Sequence, residues 1–200
     1  SPITLTHHPH PSPSPITLTQ VALAIGDIDN DGNLDLVLGN RGSGGPFANE
    51  LYLGDGTGNF SAVQGWAGGQ SQEDTTGVTL VDVNSDGHLD LFVTNKPGSG
   101  SPDGGEEEEG GEEGDRRNRR LSAGSGSNEL YIGDGAGGFI ARTDGPALSH
   151  VRSLCAAFGD FNSDGKLDLL VANKDPIPDE FYLGGGDGSF TSLSTPLSDA

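Results

Sequence analysis

The chain has 200 residues, of which 34 are Gly, 12 are Pro and 32% are hydrophobic; 30 acidic against 10 basic residues leave a formal charge of −20. No apolar run approaches the roughly 18 residues of a membrane-spanning helix, so many helix breakers argue against a helical bundle, and a net field this negative would repel the phosphates of a nucleic acid. A lone cysteine, Cys155, excludes a disulfide framework within the chain.

Residues 1–19 are low in complexity, with SPITLT repeated around HHPHPSP, and are expected to form an N-terminal linker. His7, His8 and His10 fit that linker composition as well as they fit metal uptake. With Ser1 first and no Met anywhere, the chain is expected to be a fragment or a processed piece, any secretory signal lying upstream.

From residue 20 onward the sequence repeats itself. The first copy, residues 20–70, has Val21, Leu23 and Ile25 alternating with small residues, then an acidic loop, then Leu34, Leu36 and Leu38. Leu51–Leu53 forms a third apolar run, GDGTGN a hairpin turn, and Phe60–Val63 a fourth. The tripeptide Asn59-Phe60-Ser61 has the form of a glycosylation acceptor but is expected to be a coincidence of turn composition. Trp66, in a Gly-rich stretch, is expected to be a packing residue.

The second copy covers residues 71–149 and the third residues 150–200. The second is split at about 97–127 by an insertion with almost no apolar residues and blocks of like charge, expected to be a disordered loop. Within it, Arg117-Asn118-Arg119-Arg120 reads as a solvated counter-charge to Glu106–Glu113 rather than as a proteolytic site. In the third copy Cys155 takes the strand position of Ala22, so a buried small residue is expected there, not a nucleophile. Runs of five or six residues between Gly, Asp and Asn turns read as strands. Four such strands in about 50–60 residues is the size of one propeller blade. The fold class is all-β, with three four-stranded repeats.

The three acidic loops share the template D-x-[DN]-x-D-G-x-x-D. Position by position, oxygen side chains fall at Asp27, Asp29, Asp31 and Asp35; at Asp82, Asn84, Asp86 and Asp90; and at Asp160, Asn162, Asp164 and Asp168. A hard cation such as calcium takes six to eight oxygens, and glycine at position 6 permits the turn that returns the later ligands. Position 7 is Asn33, His88 or Lys166, a variability expected if only its backbone carbonyl is a ligand. Two carboxylates at 4 Å repel by about 4 kcal/mol at an effective dielectric of 20, so four in one loop call for a cation. Loops two and three, with three carboxylates and an Asn each, are expected to bind more weakly. The Gly-rich hairpin turns around Asp55, Asp134 and Asp187 lack the repeated acids and are expected to be turns only. An EF-hand is excluded because its position 12 Glu is replaced by Leu38, Val93 and Val171. Magnesium prefers fewer protein ligands, and zinc lacks His or Cys side-chain ligands here.

These loops, with the trailing NELYLGDGTGNF, NELYIGDGAGGF and DEFYLGGGDGSF elements, resemble FG-GAP repeats in the variant called FG-GAP-like or VCBS. The resemblance covers about residues 20–193 apart from the insertion, although the GAP tripeptide is missing. It implies blades of a seven-bladed β-propeller of the integrin α type, with calcium in the loop between the first two strands of each blade. It also implies an extracellular or cell-surface module for adhesion to a protein or carbohydrate ligand, with up to three structural Ca2+ and no enzymatic activity. The alternative is a non-catalytic scaffold attached to an extracellular enzyme such as a lyase or hydrolase. No nucleic acid partner and no membrane insertion are expected.

Overall fold

The computed structural model describes residues 19–41, 48–70, 73–97, 126–143, 152–174 and 176–193. The linker at residues 1–18 with its three histidines, and the body of the insertion at 98–125 with Arg117–Arg120, lie outside the described residues.

The described chain is all β apart from a short 3-10 turn at Ala67–Gln70. The first sheet holds β1 (Thr19–Gly26), β2 (Asp35–Arg41), β3 (Glu50–Gly54) and β4 (Phe60–Ala62). The second holds β5 (Asp74–Val81), β6 (Asp90–Lys96), β7 (Glu129–Gly133) and β8 (Phe139–Arg142). The third holds β9 (Ser153–Gly159), β10 (Asp168–Asn173), β11 (Glu180–Gly184) and β12 (Phe190–Leu193). Each sheet is an antiparallel meander in chain order, the arrangement of a propeller blade. Among the described residues no helix is long and apolar enough to cross a membrane.

Each blade offers two apolar faces, because successive strand residues point to opposite sides. On one face of the first blade, Ala24, Val37 and Leu51 stand in register across three strands. They pack with Leu80, Leu91 and Tyr131, a row in register on the second blade. On the second blade's other face, Phe92 and Leu130 are paired and meet Phe158, Leu169 and Tyr182 of the third. The middle strand β6 is therefore buried on both sides, which conceals the simple alternation expected of a half-exposed strand. Trp66 is a packing residue: it lies in the first of these cores, its ring 6.5 Å from Tyr131 and 5.9 Å from Phe139.

A polar clasp sets the end of each blade opposite the acidic loop. Asn40, Asn95 and Asn173 close the second strand of their blades, and their backbone N–H groups donate to Asn49, Asn128 and Asp179 just before the third. Their side-chain amides donate to the carbonyls of Ala48, Ser127 and Pro178. The strands are thus joined at a fixed root whatever lies between, which is how a long insertion fits between Asn95 and Asn128 without disturbing the blade.

Two expectations need correction. Leu34 does not belong to the second strand: β2 begins at Asp35, and Leu34 is exposed at the loop exit. Cys155 is exposed, not buried. It pairs with Ala172 on the side of the third sheet that also carries Ala157 and Leu170, and that side packs against neither of the other blades. Ala22, its counterpart, faces the second blade, and space is tight there: a Cβ on its partner Gly39 would lie 2.6 Å from Thr75.

Candidate metal centres

Each acidic loop links the first strand of its blade to the second, and the three are built alike. Asp27 accepts the backbone N–H of Asp31 at 3.1 Å on Oδ1 and that of Gly32 at 3.0 Å on Oδ2. Asp82 does the same with Asp86 and Gly87 at 3.1 and 2.9 Å, and Asp160 with Asp164 and Gly165 at 3.0 and 2.9 Å. The position 3 oxygen adds a second bond to the position 5 N–H, from Asp29, Asn84 or Asn162. The position 5 carboxylate accepts the N–H of Asn33, His88 or Lys166 at position 7. Such bonds wind each loop into a tight coil. The coil needs a left-handed residue at position 4, where Asn30, Ser85 and Ser163 have φ of 58°, 60° and 61°, and again at position 6, filled by glycine.

Position 9 has a structural task that the spacing alone does not reveal. Asp35, Asp90 and Asp168 are fully buried. One oxygen of each accepts the N–H at loop position 2, from Ile28, Val83 or Phe161, at 2.7, 2.9 and 3.0 Å. The other accepts the N–H that ends the third strand, from Gly54, Gly133 or Gly184, at 2.8, 2.9 and 2.9 Å. One carboxylate thereby ties the loop, the second strand and the third strand together. The glycine is needed for the close approach: a Cβ there would lie 2.2, 2.2 or 2.0 Å from the carbonyl oxygen of Leu34, Leu89 or Leu167. The invariable LG, IG or LG ending of the third strand was visible in the sequence, but its partner was not.

The loops differ in their charge. In the second and third, the amide of Asn84 or Asn162 donates to the position 5 carboxylate of Asp86 or Asp164 at 2.9 and 3.1 Å. In the first, Asp29 has no proton to offer. Asp27, Asp29 and Asp35 each bring an oxygen to within 4.8 Å of the other two, a cluster of acidic oxygens not found elsewhere among the described residues. Asp31 stands beside that trio, one oxygen held by the side chain of Asn33 at 2.8 Å. Burial raises the Asp29 pKa from its ordinary 3.8, and the charges of Asp31, Asp35 and Asp27 raise it further, against one backbone bond that lowers it. The donor set is all oxygen and negatively charged, and it suits a hard cation. In the second loop, burial likewise raises Asp90 despite its two N–H donors, while Asp86, bonded to the His88 N–H, is lowered.

The hairpin turns are satisfied internally. Asp55 accepts Thr57 N–H and Oγ1–H at 2.8 and 2.7 Å, and Asn59 donates its side-chain amide to Asp55 and Thr57. Asn59 is thus a turn residue. These turns sit at the same end of the blades as the acidic loops: Asn30 hydrogen-bonds the His88 ring at 2.9 Å and the Gly135 carbonyl at 3.3 Å.

Repeated four-stranded blades, each with an acidic coil after its first strand, define a β-blade repeat protein. The FG-GAP-like repeat family matches residues 12–93 and 114–171, more than half of the chain, and the chain belongs to that family. No curated protein matches it. Among solved structures it is similar to an Agrocybe aegerita lectin described as specifically recognising non-reducing terminal N-acetylglucosamine, with 16% identity and a TM-score of 0.47. That similarity covers 88% of this chain but 38% of the lectin chain, so this chain spans well under half of its length.

Proposed function

We propose that this chain is a calcium-stabilised, non-catalytic propeller module that acts outside the cell by binding a protein or carbohydrate ligand. The observation that carries the calcium reading is the convergence of Asp27, Asp29 and Asp35 within 4.8 Å, with no donor side chain placed between Asp29 and Asp31. A cation there relieves the mutual repulsion, and the carbonyl of Asn33 completes the set. Asp82, Asn84, Asp86 and Asp90 with the His88 carbonyl form a second site. Asp160, Asn162, Asp164 and Asp168 with the Lys166 carbonyl form a third. Both are weaker than the first, because their Asn side chains already neutralise part of the problem.

Calcium in this reading is structural. Extracellular modules bind it at about 10⁻⁴–10⁻³ M, so the loops are filled outside cells and empty at cytosolic concentrations. The family supports the interaction role, since propeller loops at one end of the blades present a broad surface to a partner. Differential scanning calorimetry in 2 mM calcium and in excess chelator tests the reading. The melting temperature is expected to fall on chelation, and Asp27→Ala should delete the tightest site seen by titration calorimetry. An unchanged melt with no calcium heat rejects it.

A further inference from the structure

The first two acidic loops meet across the boundary between their blades. Asn30, at position 4 of the first loop, turns its side-chain amide toward the second blade. It donates to Nδ1 of His88 at 2.9 Å and to the Gly135 carbonyl at 3.3 Å. A carbonyl can only accept, so the amide nitrogen faces this way and the ring accepts on Nδ1. The coil sets the direction of this side chain: Asn30 has a φ of 58° and stands within the turn that Asp27 closes by accepting from Asp31 and Gly32.

Across the contact lies position 7 of the second loop. The His88 N–H donates to Asp86 at 2.8 Å, and its carbonyl is the backbone ligand of the second cation site proposed above. The ring lies on the hairpin turn of its own blade, where a Cβ on Gly135 would come within 2.2 Å of Nδ1. The same turn rests on the first blade. Gly137 is buried, and a Cβ there would lie 3.3 Å from Leu53 and 3.7 Å from the Cβ of Asp29. The first loop, the second hairpin and the second loop thus form one continuous stack. The link is particular to this pair of loops. Ser85 takes the place of Asn30 in the second loop and Lys166 that of His88 in the third, and no hydrogen bond joins their side chains among the described residues.

We propose that Asn30 is a positioning residue for the second cation site, through which filling the first loop tightens the second. The inference rests on the calcium reading of the loops. A cation in the first loop offsets the repulsion among Asp27, Asp29 and Asp35 and fixes the coil that carries Asn30. Asn30 then holds His88, and with it the carbonyl that the second cation needs, so less ordering is left for that cation to impose. Linkage makes the effect mutual: a filled second loop tightens the first by the same factor. The third loop, which lacks the bond, binds on its own.

Amide NMR of the whole chain during titration with calcium chloride tests it. The position 6 amides of Gly32, Gly87 and Gly165 each donate to the position 1 carboxylate of their own loop, so each signal reads one site. Asp27→Ala should weaken the site read at Gly87 by about threefold to tenfold, the span of one hydrogen bond. Asp82→Ala should weaken the site read at Gly32 by the same factor, and the Gly165 midpoint should stay in place in both. Asn30→Gly keeps every ligand and the left-handed turn. It should weaken the first two sites alike, and adding Asp27→Ala to it should then leave the Gly87 midpoint where it was. A Gly87 midpoint that Asp27→Ala does not move in the parent overturns the coupling and leaves independent calcium sites. A shift that survives in the Asn30→Gly background overturns the role of Asn30. Glycine signals that ignore calcium altogether overturn this inference and the calcium reading with it.

Discussion

Asn84 donates its side-chain amide to Asp86 at 2.9 Å, and the residue in its place in the first loop, Asp29, faces Asp31 with no hydrogen to give. Asp29→Asn should install the missing bond. In chelator the variant should be more stable than the parent by about 0.5–1.5 kcal/mol, the net worth of one hydrogen bond. In calcium that advantage should shrink or vanish, because a roughly tenfold loss of affinity offsets a gain of the same size. The first loop loses one charge, on the order of 1 kcal/mol, and its affinity should drop roughly tenfold. Urea melts with and without calcium read both effects, and a variant destabilised equally in the two conditions would contradict the repulsion argument.

Asp90→Ala should be damaging even without metal. Removing its carboxylate leaves the Val83 and Gly133 N–H groups buried without their acceptor, at about 1–3 kcal/mol for each. The loss should be about 2–5 kcal/mol in chelator, whereas Asp86→Ala, at an exposed coil position, should cost far less. If Asp90→Ala weakens the protein only when calcium is present, position 9 is a ligand and not a clasp.

Gly54→Ala places a Cβ 2.2 Å from the Leu34 carbonyl oxygen, so the loop or the third strand must move. A loss of about 1–3 kcal/mol is expected from overpacking of this kind. Gly58→Ala is the control: its φ is +95° and nothing lies within 4 Å of the added carbon, leaving only the backbone preference, roughly 1–2 kcal/mol. Thermal melts of the two variants should rank Gly54→Ala as the less stable.

The hairpin aspartates govern an acid limb. Bonds from Thr57 and Asn59 hold the Asp55 pKa well below its ordinary 3.8, and Asp134 and Asp187 are lowered by N–H and hydroxyl donors of their own turns. A carboxylate with a lowered folded-state pKa stabilises the fold above the ordinary value, and the contribution is lost as pH falls through the lowered one. The triple variant Asp55→Ala, Asp134→Ala, Asp187→Ala should therefore melt below the parent at pH 7. The gap should narrow as pH drops below 3.8. A gap that persists to the acid end would assign these residues a role unrelated to their charge. Chelator in every sample keeps any cation held by the acidic loops from contributing.

The repeats, the four strands of each blade and the acidic coils could all be read from residue order, because each depends on neighbours a few positions apart. A D-x-[DN]-x-D-G spacing dictates its own coil through bonds from position 1 to positions 5 and 6, and the hairpin turns close on themselves in the same way. What joins one segment to another was decided only when the chain folded. Position 9 is a clasp because the end of the third strand arrives 19 residues later in the first blade and 43 later in the second. Ile28 and Phe161 occupy the same template position, yet one is buried and the other open, and Cys155 is exposed where Ala22 faces the second blade. Burial on a blade face is a property of the neighbouring blade, and no local pattern encodes whether a neighbour is there.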